Sequence, residues 1–451
     1  MKKYFGTDGI RGEANKELTI DVTMRLGYAL GYYLKNKKPK NKIKIILGSD
    51  TRISGYMLCA TLIAGLTSMG VNVDFVGIIP TPAVAYLTKI NKADAGIMVS
   101  ASHNPAKDNG LKIFGSDGYK LLDEVEEEIE TLMENYSDII KNPISGDEVG
   151  KFRYAEDEYD QYKKFLISTV KNDFSSMKII LDAANGASYK ISKEVFLALG
   201  AEIVVINDAP SGVNINVNCG STKPEILSKV VVGYNADLGL AYDGDADRLI
   251  AVDRHGKIVD GDKIIATLAI IMKKNGKLIG NKVVTTVMSN MGLEKYLEQN
   301  GITLLRSDVG DRYVLEKMLK EKVIIGGEQS GHIILSDFAV TGDGILTSLK
   351  LVDALIDEKK YLDEIVEDIK DWPQVLINVN VNNEKKKIWD KNKNIMDIID
   401  RCEKKMGKNG RILVRTSGTE PLVRVMVEGS EKEVVTEIAE NIANVVKKEL
   451  K

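Results

Sequence analysis

Three aspartates, Asp243, Asp245 and Asp247, alternate in "DGDADR" directly after the apolar run "LGLAY". Crowded carboxylates repel one another unless a cation sits among them. Alternate residues of an extended segment project to one side, with room to curl around a hard ion. An EF-hand calcium loop would need glycine at Arg248 and glutamate at Arg254, so the pattern is a different one. An all-oxygen site beside a phosphate suits magnesium; a solvated acidic turn is the other reading of the same residues.

The run "MVSASHNPAKDNGLKIFG", from Met98 to Gly115, starts as a buried strand and then presents Ser102, His103, Asn104 before Pro105, and Lys112. Adjacent side chains in an extended segment point apart, and no GxSxG turn surrounds Ser102, so a Ser-His hydrolase dyad is not expected. A serine can instead carry a phosphoryl group where a divalent cation neutralises its charge and a base helps the oxygen leave; Lys112 and Arg11 are candidates. Without the other motifs the stretch reads as a polar strand-to-helix loop whose exit Pro105 fixes.

In "GGEQSGH", Glu328 and Ser330 suit the vicinal hydroxyls of a sugar, and the two glycines allow close backbone approach. His332 there is a general base, a phosphate contact or a structural residue. Near the C-terminus, "RTSGTEP" offers Arg415, Ser417, Gly418 and Thr419, with Arg424 on the return strand. Hydroxyls, backbone N–H groups freed by a glycine and guanidinium forks are what a phosphate dianion needs, although the same residues also make an ordinary hairpin turn.

The elements that must position these residues repeat along the chain. "KIILGSD" from Lys44, "KIILDAANG" from Lys178 and "KVVTTVMSN" from Lys282 each precede a helix-period segment closing on Gly70, Gly200 or Gly301. A second apolar run follows each glycine, and a third ends in the serine, aspartate or "GEQSGH" motif. Strand, helix, C-cap glycine, strand predicts a βαβ unit, and parallel sheets bind ligands at the carboxyl ends of their strands. From Trp372 the pattern becomes strand, helix, hairpin, helix. The expected fold is α/β with four domains: three related mixed α/β sheet domains (1–153, 154–254, 255–370) and a smaller α+β domain (371–451), with the active site in a central cleft.

Lys plus Arg number 62 against 65 Asp plus Glu, so no basic excess points to nucleic acid. Cys59, Cys219 and Cys402 lie far apart without CxxC spacing, which reads as reduced thiols. "MKKYFGTDGIRG" has no apolar signal region, and Ile264–Met272 is too short to span a bilayer. The expectation is a cytoplasmic protein with no membrane and no nucleic-acid partner.

In this order, "SASHNP", "DGDADR", "GEQSGH" and "RTSGTEP" resemble the phosphoserine, magnesium, sugar and phosphate loops of the α-D-phosphohexomutase superfamily, along essentially the whole chain. "YFGTDGIRG", Gln329 where hexose-specific relatives tend to carry methionine, and "VGDRYV" from Val309 most resemble its bacterial amino-sugar branch. That resemblance implies interconversion of glucosamine 6-phosphate and glucosamine 1-phosphate through phosphorylated Ser102 and a 1,6-bisphosphate, feeding UDP-N-acetylglucosamine synthesis. It implies one Mg²⁺ on Ser102, Asp243, Asp245 and Asp247, and a sugar 1,6-bisphosphate as activator. Arg11, Lys112, Arg248 and His332 become catalytic candidates; His103, Glu328, Ser330, Arg415, Ser417, Gly418, Thr419 and Arg424 become substrate-binding ones. A homodimer follows by analogy only. The alternatives are a mutase for glucose or mannose phosphates, a metal-dependent phosphatase, or a non-catalytic phosphosugar sensor.

Overall fold

A computed structural model describes residues 3–6, 8–38, 42–141, 143–386, 388–416 and 421–451. The three repeats become three sheets with one shared strand order. In the first, Lys44–Ser49 lies between the parallel strands Asn72–Ile78 and Ala95–Val99. Lys178–Asp182 lies likewise between Glu202–Ile206 and Leu238–Tyr242. Lys282–Thr286 stands between Thr303–Ser307 and its parallel neighbour Ile325–Gly327. The expected glycines do end the intervening helices, with φ of 77°, 88° and 64° at Gly70, Gly200 and Gly301. That left-handed conformation carries no Cβ penalty in glycine.

A fourth strand turns back antiparallel beside each third one: Asp108–Gly115, Leu249–Asp253 and Ile333–Leu335. The motif loops therefore join hairpins. This corrects the reading of "SASHNP" as a strand-to-helix loop, and it explains why the polar residues crowd: a hairpin returns the chain at once, so both ends of the loop sit at one sheet edge. The first sheet gains Phe5–Gly6 and Gly9–Glu13 at one edge and Phe152–Tyr154 at the other, making seven strands. Its core of Ile45, Leu47, Val73, Ile97, Leu58 and Leu62 is almost fully buried. Each such side chain contributes about 1.5–3 kcal/mol of transfer free energy, which makes the strand register expensive to slip.

Helix Glu156–Ser168 carries Tyr162, whose hydroxyl donates to Asp343 at 2.8 Å, and Phe165, which stacks on Tyr86 at 4.2 Å. It thereby ties the first and third sheet domains. Residues 3–288 and 304–366 form one compact unit, described residues only, and 289–303 with 367–451 form another. In the second unit Gln374–Asn380 pairs with Leu422–Gly429, which pairs with Gly410–Thr416, all antiparallel. Helices Lys393–Met406 and Lys432–Leu450 cover this sheet through Ile395, Ile399, Ile438, Ile442 and Val446. Buried Glu428 accepts the Met291 N–H at 2.8 Å and Arg411 Nε at 2.7 Å, which anchors helix Met291–Gln299 in this unit. Cys59, Cys219 and Cys402 are free and buried. Among the described residues no helix is long and apolar enough to cross a membrane.

Candidate active site

Ser102 sits on the hairpin between Ala95–Val99 and Asp108–Gly115, 2% exposed, in the left-handed region at φ 50°. Its hydroxyl donates to Asp243 Oδ2 at 2.6 Å, so the first and second sheet domains meet at this atom pair. The expectation that Ser102 and His103 point apart assumed extended backbone. The left-handed turn overturns it: Ser102 Oγ lies 3.3 Å from His103 Nδ1. Burial, and then the charges of Arg248 and Arg11, push the His103 imidazole down to about 4, so it is neutral at physiological pH.

The aspartates are likewise brought together by a turn and not by an extended segment, since Ala246 within it has φ 57°. Asp243, Asp245 and Asp247 are all buried, with one carboxylate oxygen from each within 4.8 Å of the others. Burial and then Asp247 and Asp245 drive the Asp243 carboxyl well above the usual range. Burial acts the same way on Asp245, but Lys112 and Thr81 outweigh it and hold that carboxyl low. Thr81 donates to Asp245 Oδ2 at 2.5 Å and Lys112 Nζ at 2.8 Å. Asp245 Oδ1 and Asp247 Oδ1 are buried without any hydrogen-bond partner. Two orphaned oxygens in an all-carboxylate cluster fit a hard divalent cation.

Lys112, 2% exposed, also lies 3.6 Å from Asp247 and 3.5 Å from Asp8. Burial alone would loosen its proton, but Asp245, Asp8 and Asp247 outweigh burial and raise it. Lys112 thus sets a positive charge against the aspartate cluster. Arg11 pairs with Asp8, and the Arg248 backbone N–H reaches Asp243 Oδ1 at 3.2 Å. Arg248 also bridges His332 across the backbone, which brings the third sheet domain to the site. His332 is 3% exposed; its Nε2 accepts the Gly342 N–H at 3.3 Å and lies 3.8 Å from Asp311, while buried Nδ1 has no partner. Glu328 accepts the Gly310 N–H at 3.1 Å, and exposed Ser330 donates to it at 3.4 Å. Gln329 Nε2 reaches Asp260 at 3.0 Å, beneath the helix that Asp260 caps. Gly331, at φ 94°, permits close backbone approach: a Cβ there would stand 2.1 Å from Leu249 O.

Three further residues were not singled out by motif reading. Asp8 joins Arg11, Lys112 and Lys120, and Lys120 passes to Asp311 at 2.5 Å, beside His332. Asp8 and Asp311 lie inside "GTDGIRG" and "VGDRYV", so a signal was present, but only the folded chain shows what they touch. In the second unit, Arg415 and Arg424 are directly opposite cross-strand partners. Burial, then the charge of Arg424, lowers the Arg415 guanidinium. Ser417, Gly418 and Thr419 lie outside the described residues.

Four family models cover this arrangement from end to end: phosphoglucomutase/phosphomannomutase alpha/beta/alpha domains I (2–139), II (157–256) and III (260–372), and the C-terminal domain (376–445). A phosphoglucosamine mutase of Fusobacterium nucleatum is 66% identical over 451 residues, the whole of both chains. The chain belongs to the phosphoglucomutase/phosphomannomutase family. Another family member, a phosphoglucosamine mutase of Clostridioides difficile, is 51% identical over 450 residues, again the full length of both. A solved phosphoglucomutase/phosphomannomutase family protein of Burkholderia thailandensis shares the fold, with a TM-score of 0.80 at 23% identity over 98% of this chain and 96% of that one. So does an N-acetylphosphoglucosamine mutase of Aspergillus fumigatus, solved with GlcNAc-6P and magnesium, at TM-score 0.66 and 19% identity over 100% and 96% of the two chains.

Proposed function

We propose that this enzyme interconverts glucosamine 6-phosphate and glucosamine 1-phosphate, with Ser102 as the phosphoryl carrier. The observation that carries the reading is the buried Ser102 hydroxyl, 2.6 Å from Asp243 in a cluster with two orphaned carboxylate oxygens and a charged lysine. The full-length relatives at 66% and 51% identity support the amino sugar as substrate.

Asp243, Asp245, Asp247 and a phosphoserine oxygen would hold Mg²⁺, which when bound supplies positive charge beside the transferring phosphoryl group. In the forward direction the bond from phosphorus to Ser102 Oγ breaks and one to the sugar O1 forms, giving the 1,6-bisphosphate. After the bisphosphate turns over in the site, Ser102 Oγ takes the phosphoryl group from O6 and glucosamine 1-phosphate leaves. A sugar 1,6-bisphosphate from solution loads Ser102 by the second half of this cycle. Lys112, Arg11 and Arg248 stabilise charge at the transferring group, and guanidiniums do not deprotonate. His332 and Lys112 are the candidates to take the attacking hydroxyl's proton. Glu328 and Ser330 bind sugar hydroxyls, His103 lies beside the phosphoryl group, and Arg415 and Arg424 with Ser417, Gly418 and Thr419 hold the non-reacting phosphate. The product serves UDP-N-acetylglucosamine synthesis in the cytoplasm.

The test compares kcat/KM for glucosamine, glucose and mannose 6-phosphates, with Mg²⁺ and a trace of bisphosphate, in the native enzyme and Ser102→Ala. Preference for the amino sugar with loss of turnover in the variant is expected. A preference for glucose or mannose phosphate would overturn the substrate, and an active Ser102→Ala would overturn the phosphoserine.

A further inference from the structure

A non-glycine residue at φ 50°, as Ser102 is, costs on the order of 1–3 kcal/mol and persists only where its surroundings hold it. None of the residues given a role above does the holding. Arg52 does, with its side chain wholly buried. Its Nη2 donates to Ser102 O at 2.8 Å and Asn104 O at 2.9 Å, and its Nη1 to Pro105 O at 2.5 Å and Asp108 O at 3.1 Å. The remaining donor, Nε, reaches Asp50 Oδ2 at 2.9 Å. A guanidinium has five N–H groups, and here four bind carbonyls of the one loop that carries the nucleophile.

The same framework continues around the serine. Asp50 Oδ2 also accepts the Ser100 hydroxyl at 2.6 Å, and Ser100 Oγ accepts the Ser102 N–H at 2.9 Å. From the second sheet domain, Asn216 Nδ2 donates to Ser102 O at 2.9 Å and Asn104 O at 3.2 Å. Two of the carbonyls that Arg52 binds are thus bound again from across the domain boundary. Gly244 allows this approach, because a Cβ there would stand 2.6 Å from Ser102 O and 2.9 Å from Asn216 Nδ2. A buried arginine serving stability alone has no reason to converge on these carbonyls with an asparagine of another domain.

We infer that Arg52 and Asn216 are positioning residues for phosphoryl transfer: together they hold Ser102 in its left-handed turn so that Oγ faces Asp243. The inference rests on the reading of Ser102 as the phosphoryl carrier. Lysine offers three donors in a tetrahedral array and cannot reproduce the planar fork, so Arg52→Lys keeps the charge and loses the framework. Asn216→Gly removes the second donor without backbone strain, since Asn216 has φ 60°.

The experiment measures kcat and KM for glucosamine 6-phosphate, the single-turnover rate of Ser102 phosphorylation by glucose 1,6-bisphosphate, and the melting temperature. The variants are Arg52→Lys, Asn216→Gly and Ser102→Ala. Small misplacements of a reacting atom cost up to about 100-fold in rate. The expected result is a kcat about 10- to 100-fold lower in Arg52→Lys and several-fold lower in Asn216→Gly, KM within about two-fold of native, and single-turnover rates falling in step with kcat. A purely structural role would lower the melting temperature and leave the kcat of folded protein unchanged. Native kcat and single-turnover rates in the folded variants overturn the inference; if Arg52→Lys fails to fold, Asn216→Gly alone decides. An active Ser102→Ala would instead overturn the reading beneath it.

Discussion

Two places in this molecule set like charges side by side. Asp243, Asp245 and Asp247 crowd three carboxylates at a hairpin turn, and Arg415 faces Arg424 across a pair of antiparallel strands. Each arrangement is unfavourable alone, and each offers the opposite charge of one component of the proposed reaction: a divalent cation at the first, a phosphate dianion at the second. They differ in how the unliganded protein tolerates them. The aspartates are buried and partly neutralised by a buried lysine, so the cost is stored as a displaced carboxyl on Asp243. The arginines are half-buried, where solvent screens them. The lesson is that crowded like charges mark the sign of a ligand, and that burial sets how strongly the crowding perturbs the groups that make it.

The largest effect should come from splitting the aspartates. Asp243→Asn and Asp245→Asn should each lower turnover by about 1,000-fold or more, yet move stability in opposite directions. In chelator, Asp243→Asn should melt above the native protein, because it removes the carboxylate that burial and its neighbours disfavour. Asp245→Asn should be less stable by about 3 kcal/mol in urea titrations, since Lys112 loses its closest partner. Shifts of the same sign in both would break the account of the cluster.

Metal addition comes next. Mg²⁺ at about 100 times its Kd should stabilise the native protein by about 2.7 kcal/mol, measured as the shift in urea midpoint, and Asp243→Asn should lose most of that gain. On the other side of the comparison, Arg424→Met should raise KM for the sugar phosphate about 10- to 100-fold, the worth of one charged hydrogen-bonding pair. A clear loss of stability with KM unchanged would mean that the arginine serves the sheet.

The smallest effect concerns the edge of the acidic cluster. Burial first, with Asp247 adding to it, pushes the Asp343 carboxyl from 3.8 up to about 6. The folded state therefore binds more protons than the unfolded state between those values, and the stability Asp343 contributes at low pH is lost as pH rises through about 6. Asp343→Asn keeps an acceptor for the Leu346 N–H and turns its amide N–H₂ toward the Tyr162 hydroxyl oxygen, which then accepts. Its stability relative to native should grow from pH 4 to pH 6 and level off above, by urea midpoints across that range. A flat difference would place the proton elsewhere.

What the amino-acid sequence by itself determined was everything that local signals encode. Apolar runs, C-cap glycines and turn residues lay close together in the chain, so the three repeated units, the change of pattern after Trp372 and the four motif loops were legible before any coordinates. Ser102, the aspartate triad, Lys112, Arg11 and Arg248 could be singled out as candidates for the same reason: their chemistry is dense within a few residues. The tertiary structure alone decided the backbone turn at Ser102, which reversed the expectation for His103, and the meeting of Asp8, Lys120 and Asp311 from segments up to 303 residues apart. It alone showed that Arg52 and Asn216 reach the same two carbonyls. The physical reason is that a side-chain hydrogen bond is selected by distance in space, and sheet registers and domain packing set that distance without leaving any periodicity in the chain.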